Sequence, residues 1–420
     1  MALFIFPSDM IIRAVGGQGY AASLIAFLLL VLWLLAVLFN RHDPLTTPHP
    51  TRGLLAFLVV TSLLSYAFLP FHRLTETERL SGDRWMMLLA ATAGVALSTA
   101  ELLPSLEALK KVLRALVLGA AISGVVAALQ WLLRFDLAGV IRGAMPGFTL
   151  NSDYSTYSAR GLLDRVTGTA LHPIELGVVA GMVLPIAIAL AMQQQDRPVL
   201  RKWGPVGLVA LALPASVSRS ALLSAVTGFV VFAFFLPRRQ RITAFVLLPI
   251  GALAQFIVRP GYLGTLVGYV SQGGDDPSVA TRLNDYELVE QLVSEKPLLG
   301  SGGGTYIASN AFDILDNQYL KGLIELGLLG ATGLFAWLLL PALYALAARR
   351  RSADPRLRTI AAALAGSASS GAVCSATFDS LSFNMYAGVY ALVVGAIGAC
   401  WVLASREQPL PQSASLLQKG

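Results

Sequence analysis

Five ionisable residues stand out in a chain that is only 13% charged: Arg165 in DRVTGTALHP, Arg219 in SVSRSALLS, Arg282 in ATRLND, Asp316 heading DNQYLKGLIELGLLG, and Glu325 inside that last segment. Each lies inside or at the edge of an apolar run. A charge there costs several kcal/mol unless it is paired or faces water, so such residues are functional candidates. A guanidinium can grip an anionic group bidentately. Arg219 has the hydroxyls of Ser216, Ser218 and Ser220 beside it, and the amides of the helix it opens point the same way. A carboxylate at the mouth of a helix can accept or orient a hydroxyl proton.

Each of these residues also has a plainer reading. Arg219 and Arg165 can be snorkelling arginines at helix ends, and His172, before the helix-starting Pro173, suits a cap. Arg282 can pair with Asp285 at helical spacing. Asp316 suits the N-cap of the span that follows. Gln318, Lys321 and Glu325 recur at helical spacing as a polar stripe that should face the protein interior, and Lys321 and Glu325 can pair as i, i+4 neighbours.

The elements that position these residues are membrane helices. Hydrophobic residues make up 55% of the 420 and mean hydropathy is +0.67, far from the balance of soluble domains. Apolar runs near the ~20 residues that cross a bilayer occur at about 19–39, 52–69, 86–103, 111–133, 174–192, 204–217, 219–236, 243–258, 319–346, 359–378 and 384–404. The expectation is an all-α polytopic bundle of about eleven spans, between ten and twelve, forming one domain over 1–404 with a disordered tail at 405–420. The opening residues, broken by Pro7 and Asp9, read as an interfacial or re-entrant piece and not as a signal peptide.

The formal charge of +7 does not point to nucleic acid, because the basic residues sit in short connectors. Clusters at Lys110, Lys111 and Arg114, at Arg197, Arg201 and Lys202, at Arg238, Arg239 and Arg241, and at Arg349, Arg350 and Arg351 fall in alternate connectors, which places those connectors in the cytoplasm. Three longer pieces, about 70–85, 135–172 and 259–318, then lie outside. The last holds two Gly-rich turns, SQGGDD and LLGSGGGTY. They flank a short amphipathic helix over about 280–295 with Leu283, Tyr286, Val289 and Val293 on one face.

Gly327, Gly330 and Gly333 read as close helix packing, since no strand precedes them and no P-loop lysine follows. Cys374 and Cys400 fall in predicted spans and indicate neither a disulfide framework nor a metal site. No HExxH and no His or Cys cluster appears, so no metal or cofactor is expected.

In order, RVTGTALHPIELG, SVSRSALLS, TRLNDYELVEQLVSEKPLLGSGGGTY and DNQYLKGLIELGLLG resemble the O-antigen ligase and polymerase family, over roughly residues 150–345. The resemblance implies a glycosyltransferase in the cell's plasma (inner) membrane, acting at its extracytoplasmic face. Its donor would be a glycan carried on undecaprenyl diphosphate and its acceptor a lipid core or another carrier-linked chain. It also implies two arginines that grip the diphosphate, matched by Arg219 and Arg282, and a base at the mouth of the span after the long loop, matched by Asp316. The ligases of the family have a histidine followed by asparagine where this chain has Asp316 and Asn317. An ordinary aspartate, pKa about 3.9, is a poor base at neutral pH. Burial near Glu325 would have to raise it, and the two arginines would push the other way.

Further substrate contacts are expected from Arg165, His172, Ser218, Asn317, Gln318 and Glu325. The same features suit a polysaccharide polymerase, which differs only in its acceptor. A rival of another class is a transporter of a lipid-linked or anionic solute. Against it stand the absence of a visible inverted repeat and the clustering of polar residues at one face.

Overall fold

A computed structural model describes residues 1–71, 74–151, 156–160, 163–194, 196–243, 245–246, 277–308 and 314–407. Most of the span expected at 243–258, the SQGGDD turn and most of the expected tail lie outside the described residues.

The helices are α1 Ala2–Ile5, α2 Ala21–Leu38, α3 Pro50–Ala67, α4 Glu76–Glu101, α5 Leu106–Leu133, α6 Leu137–Gly143, α7 Pro173–Met192, α8 Val199–Ser216, α9 Arg219–Phe234, α10 Pro277–Glu295, α11 Gln318–Arg351, α12 Pro355–Cys374 and α13 Asn384–Glu407. Among the described residues, six are long and apolar enough to cross a membrane: α2, α3 (continued to Phe71), α5, α7, α11 and α13. The protein is therefore a polytopic helical membrane protein.

Local sequence sets the starts of these helices. Ser105, Ser218, Asn317 and Asp354 each accept a backbone N–H at an N-cap, and prolines follow the caps of α3, α7 and α12 at the first helical position. Thr75 and Glu78 form a reciprocal capping box. That box starts α4 at Glu76, so the loop expected over 70–85 is shorter than the hydropathy profile suggests: the helix runs on through a charged first stretch.

The core is built on α12, which packs against α7, α9 and α11 and is buried along most of its length. Its Ala, Gly and Ser content allows close backbone approach. A Cβ at Gly366 would collide with the carbonyl of Gly228, and Ser370 Oγ donates to Ser224 O at 2.6 Å. At the margin, α2 packs on α4 and leaves Leu28, Val31, Leu32, Leu34 and Leu35 exposed, as a lipid-facing helix requires.

The N-terminal segment packs into the bundle. Phe4 lies against Gly119, and β1 (Met10–Ile11) pairs antiparallel with β2 (Thr149–Leu150). The connector expected over 135–172 contains α6 and a hairpin, β3 (Tyr157–Arg160) with β4 (Leu163–Val166). At the end of the bundle where α2 and α4 finish, the buried Glu101 carboxylate accepts from Trp33 Nε1 at 3.0 Å and from Arg52 Nε at 2.8 Å. It also pairs with His42 and His49 at 2.6 and 3.0 Å. These partners offset the cost of burying that charge.

The amphipathic face expected for α10 is only partly correct. Val289 is buried, with Leu292 and Val293 packed beside it, whereas Tyr286 is 58% exposed and Asp285 is buried. The strip keeps Val289 and Val293 and passes through Asp285 in place of Tyr286. The Leu283 side chain lies outside the described residues.

Candidate functional site

Arg219 occupies the first position of α9 because the turn before it is tightly fixed. Ser216 Oγ donates to Leu213 O at 2.8 Å, and Ser218 caps α9 by accepting the Ala221 N–H at 3.4 Å. Between them Val217 adopts φ 43°, ψ 45°. A left-handed conformation costs a β-branched residue about 1–2 kcal/mol. Strain of this kind persists only where the surroundings impose it, and it is common at functional sites. Arg219 itself is half-buried.

The segment 375–383, between α12 and α13, ties this turn to the start of α11. On one side Thr377 Oγ1 donates to Ser220 Oγ at 2.8 Å and Cys374 Sγ to Ser220 O at 3.4 Å. On the other, the Gln318 amide donates to Ser375 O at 2.8 Å, and Gln318 Oε1 accepts the Leu381 N–H at 2.8 Å. Lys321 Nζ donates to Ser382 Oγ at 2.9 Å and pairs with Asp379 at 3.3 Å. The mouths of α9 and α11 are thus held by one nine-residue connector.

Several expectations for the α11 mouth are corrected. Asn317, not Asp316, is the N-cap: its Oδ1 accepts from Tyr319 N at 2.9 Å and Leu320 N at 3.3 Å. Asp316 stands one residue outside the helix and is exposed, so the burial near Glu325 that would make it a better base is absent. Gln318 is 2% exposed and its carbonyl oxygen is engaged by Leu381, which makes it a tie within the fold. The polar stripe does face inward, but Lys321 forms its ion pair with Asp379 and not with Glu325.

Glu325 is 2% exposed and sits beside a break in α11. Gly327 has φ 62°, ψ −173°, and the segment 297–306 fills the gap. Ser301 N donates to Ile324 O (3.0 Å), Gly302 N to Glu325 O (2.7 Å), Leu328 N to Pro297 O (2.8 Å) and Leu329 N to Leu298 O (3.1 Å). Gly327 is therefore the residue that permits the break and not a packing glycine. Gly333 matches the packing expectation, since a Cβ there would stand 2.6 Å from Thr61 Oγ1 of α3.

Of the remaining candidates, His172 borders the same connector. His172 caps α7, its Nδ1 accepting the Ile174 N–H at 3.2 Å, and its ring lies 6.1 Å from that of Phe383. Burial, and then the positive charge of Arg165, pulls its pKa down to about 4. His172 is neutral at physiological pH, and since Nδ1 accepts, Nε2 carries the proton. Arg165 Nε donates to Ser158 Oγ across the β3–β4 hairpin at 2.8 Å, and burial lowers its pKa from the ordinary value. The backbone at Arg282 belongs to α10, but its side chain lies outside the described residues.

Two further acidic residues, outside the sequence candidates, bond into the same region. Asp379, in TFDSLSF, is a charge between two apolar runs and meets the criterion that selected the others. Glu175, inside the quoted PIELG, is fully buried; it accepts the Leu171 N–H at 2.8 Å and those of Met385 and Tyr386 at 2.8 and 3.1 Å, joining the starts of α7 and α13. Only its helical register gave a signal, as an acid in a first turn.

No curated protein matches the chain. A family model described as O-antigen ligase matches residues 205–335, which contain Arg219, the backbone of Arg282, Asp316 and the break at Gly327. Over that segment the chain is similar to the O-antigen ligase family.

Proposed function

We propose that the protein is a membrane glycosyltransferase that moves a glycan from a polyprenyl diphosphate carrier to an acceptor hydroxyl at the extracytoplasmic face. The observation that carries this reading is the connector 375–383. It bonds both to Ser220, next to Arg219, and to Gln318 and Lys321, just past Asp316. A cation at a helix start and a carboxylate at another helix mouth then border one polar region, and the ligase match spans both.

In this mechanism Arg219, the first-turn amides of α9 and Arg282 hold the diphosphate. The acceptor oxygen attacks the anomeric carbon from the face opposite the diphosphate. The bond between that carbon and the phosphate oxygen breaks with inversion, and polyprenyl diphosphate leaves. Fixed cations stabilise the charge that the leaving group gains, which is the preorganised electrostatics that dominates many enzymatic accelerations. Asp316, exposed and just outside the α11 cap, accepts a hydrogen bond from the acceptor hydroxyl and orients it, and the proton released as the new bond forms passes to water. In this reading His172 contributes a neutral imidazole to the polar wall. Arg165, Ser218 and Asn317 complete the polar wall.

The test is transfer in proteoliposomes supplied with a polyprenyl diphosphate-linked glycan and an acceptor. Arg219→Ala and Arg282→Ala each abolish product while the protein still accumulates in the membrane. Near-normal product from either variant overturns the assignment. A single added glycan indicates a ligase, and a ladder of lengths indicates a polymerase.

A further inference from the structure

We infer that Glu325 is a positioning residue, a latch that holds the Gly-rich segment 297–306 in the break of α11 and thereby seats α10. Glu325 is expected as a substrate contact, but its carboxylate is met by backbone amides of its own chain, with the Lys321 charge acting on it from one turn earlier in α11. The carboxylate accepts from Tyr306 N at 3.4 Å and from the amide of Gly304, while the backbone carbonyl of the same residue accepts the Gly302 N–H at 2.7 Å. Ser65 Oγ reaches the same region from α3, donating to Leu299 O at 2.6 Å and to Glu325 O at 3.3 Å. Gly300, Gly302 and Gly304 all have positive φ, so the segment is shaped to turn its amides toward Glu325. Underneath, Gly303 lies against the Trp85 ring, which leaves no room for a side chain there.

The consequence of the latch lies at Tyr306. Its ring belongs to a small apolar cluster separate from the main core: Val289, Leu292 and Val293 of α10, Leu315, and Ile324 and Leu320 of α11. Among the described residues this cluster is what docks α10 on α11. The residue whose amide Glu325 fixes is therefore part of the seat of the helix that carries Arg282. Lys321 is engaged with Asp379 and Ser382. Glu325 thus acts on the reaction through α10 and not through a bound sugar. The activity arm of this inference rests on the transferase reading, whereas its structural arm does not.

The experiment compares Glu325→Gln and Glu325→Ala with wild type in lipid nanodiscs, by limited proteolysis of 297–308 and by glycan transfer. Glutamine keeps an oxygen that can accept the two amides and alanine does not. The expected result is cleavage of 297–308 faster by about tenfold in Glu325→Ala, the loss of one to two hydrogen bonds to a charged acceptor, with transfer falling in parallel. Glu325→Gln stays within about threefold of wild type in both. Wild-type behaviour of Glu325→Ala overturns the latch. So does a Glu325→Gln variant as inactive as Glu325→Ala with its segment still protected, because the charge itself would then be at work. Should neither variant accumulate, hydrogen exchange of wild type decides: slow exchange over 302–306 supports the latch, and exchange as fast as a free loop overturns it. If wild type makes no glycan product, the transferase reading fails while proteolysis and exchange still test the latch.

Discussion

Gly327→Ala isolates the break in α11 from everything else near it. At φ 62°, ψ −173° the backbone occupies a region that is essentially confined to glycine, and a side chain there costs of order 1–3 kcal/mol. The new Cβ would also stand 2.5 Å from Gly300 N and from Leu298 C and O. All three are backbone atoms, so no rotamer change relieves the contact. The chain has two ways to relax. It can keep the break and bear the strain, or α11 can close into a continuous helix. Closing restores bonds within α11 but strands Pro297 O, Leu298 O and the amides of Ser301 and Gly302, which now bond to the broken helix. At about 1 kcal/mol for each lost bond, that route costs about 4 kcal/mol before helix closure returns part of it.

Both routes therefore converge on a loss of about 3 kcal/mol. Taking about 2 °C per kcal/mol for a large chain, the melting midpoint in nanodiscs falls by roughly 6 °C. Gly53→Ala is the matched control: that glycine lies in α3, is exposed, and has no atom within 4 Å of an added Cβ. Alanine there stabilises by up to about 1 kcal/mol through helix propensity. A Gly327→Ala protein that melts with wild type, or no lower than Gly53→Ala, would refute the account of the break.

Two further outcomes follow from the same end of the bundle. The folded pKa of His172, about 4, lies below its ordinary 6.5, so the unfolded chain takes up the proton first. The stability linked to this residue is complete above about pH 6.5 and is lost as pH falls toward 4. His172→Asn, which keeps an N-cap acceptor but cannot titrate, flattens the thermal stability profile over that window, and an unchanged profile would remove His172 from it. Lys321 and Asp379 form a pair whose side chains are 16% and 26% exposed. In a double-mutant cycle of Lys321→Met and Asp379→Asn followed by thermal melts, the double variant should cost about 1 kcal/mol less than the sum of the singles. Strict additivity would mean that the pair does not couple α11 to the connector.

What was legible in the sequence depended on how local its cause was. Helix starts are readable where a cap stands beside an apolar run, as with Ser218 before α9 and Pro173 after His172, whereas the Thr75–Glu78 box precedes a charged first stretch that hydropathy does not mark as helix. The choice between Asp316 and Asn317 as cap was not readable, since both residue types suit the position and only the backbone path decides. The inward-facing stripe of Gln318, Lys321 and Glu325 followed from helical period. Its partners did not, because Leu381, Asp379 and Tyr306 come from segments 19 to 63 residues away in sequence.

The same limit applies to the glycines of α11, which form one class in the sequence and two in the structure. Gly327 and Gly333 look alike in the string GLIELGLLGATG, yet one meets the backbone of 298–300 and the other the side of α3. A helix that must pack needs a missing side chain, and a helix that must break needs a missing φ restriction. Glycine supplies both, so only the neighbour reveals which is in use. That neighbour is the LLGSGGGTY turn, expected within the loop 259–318, which donates to the carbonyls of Ile324 and Glu325 inside α11. The polar atoms of a broken membrane helix must find partners within the protein, and the turn supplies them. The charge that the sequence shows at Glu325 then meets the amides the turn brings to it, while Arg219 and Asp316, at the two helix mouths, are the groups proposed to hold the diphosphate and the acceptor.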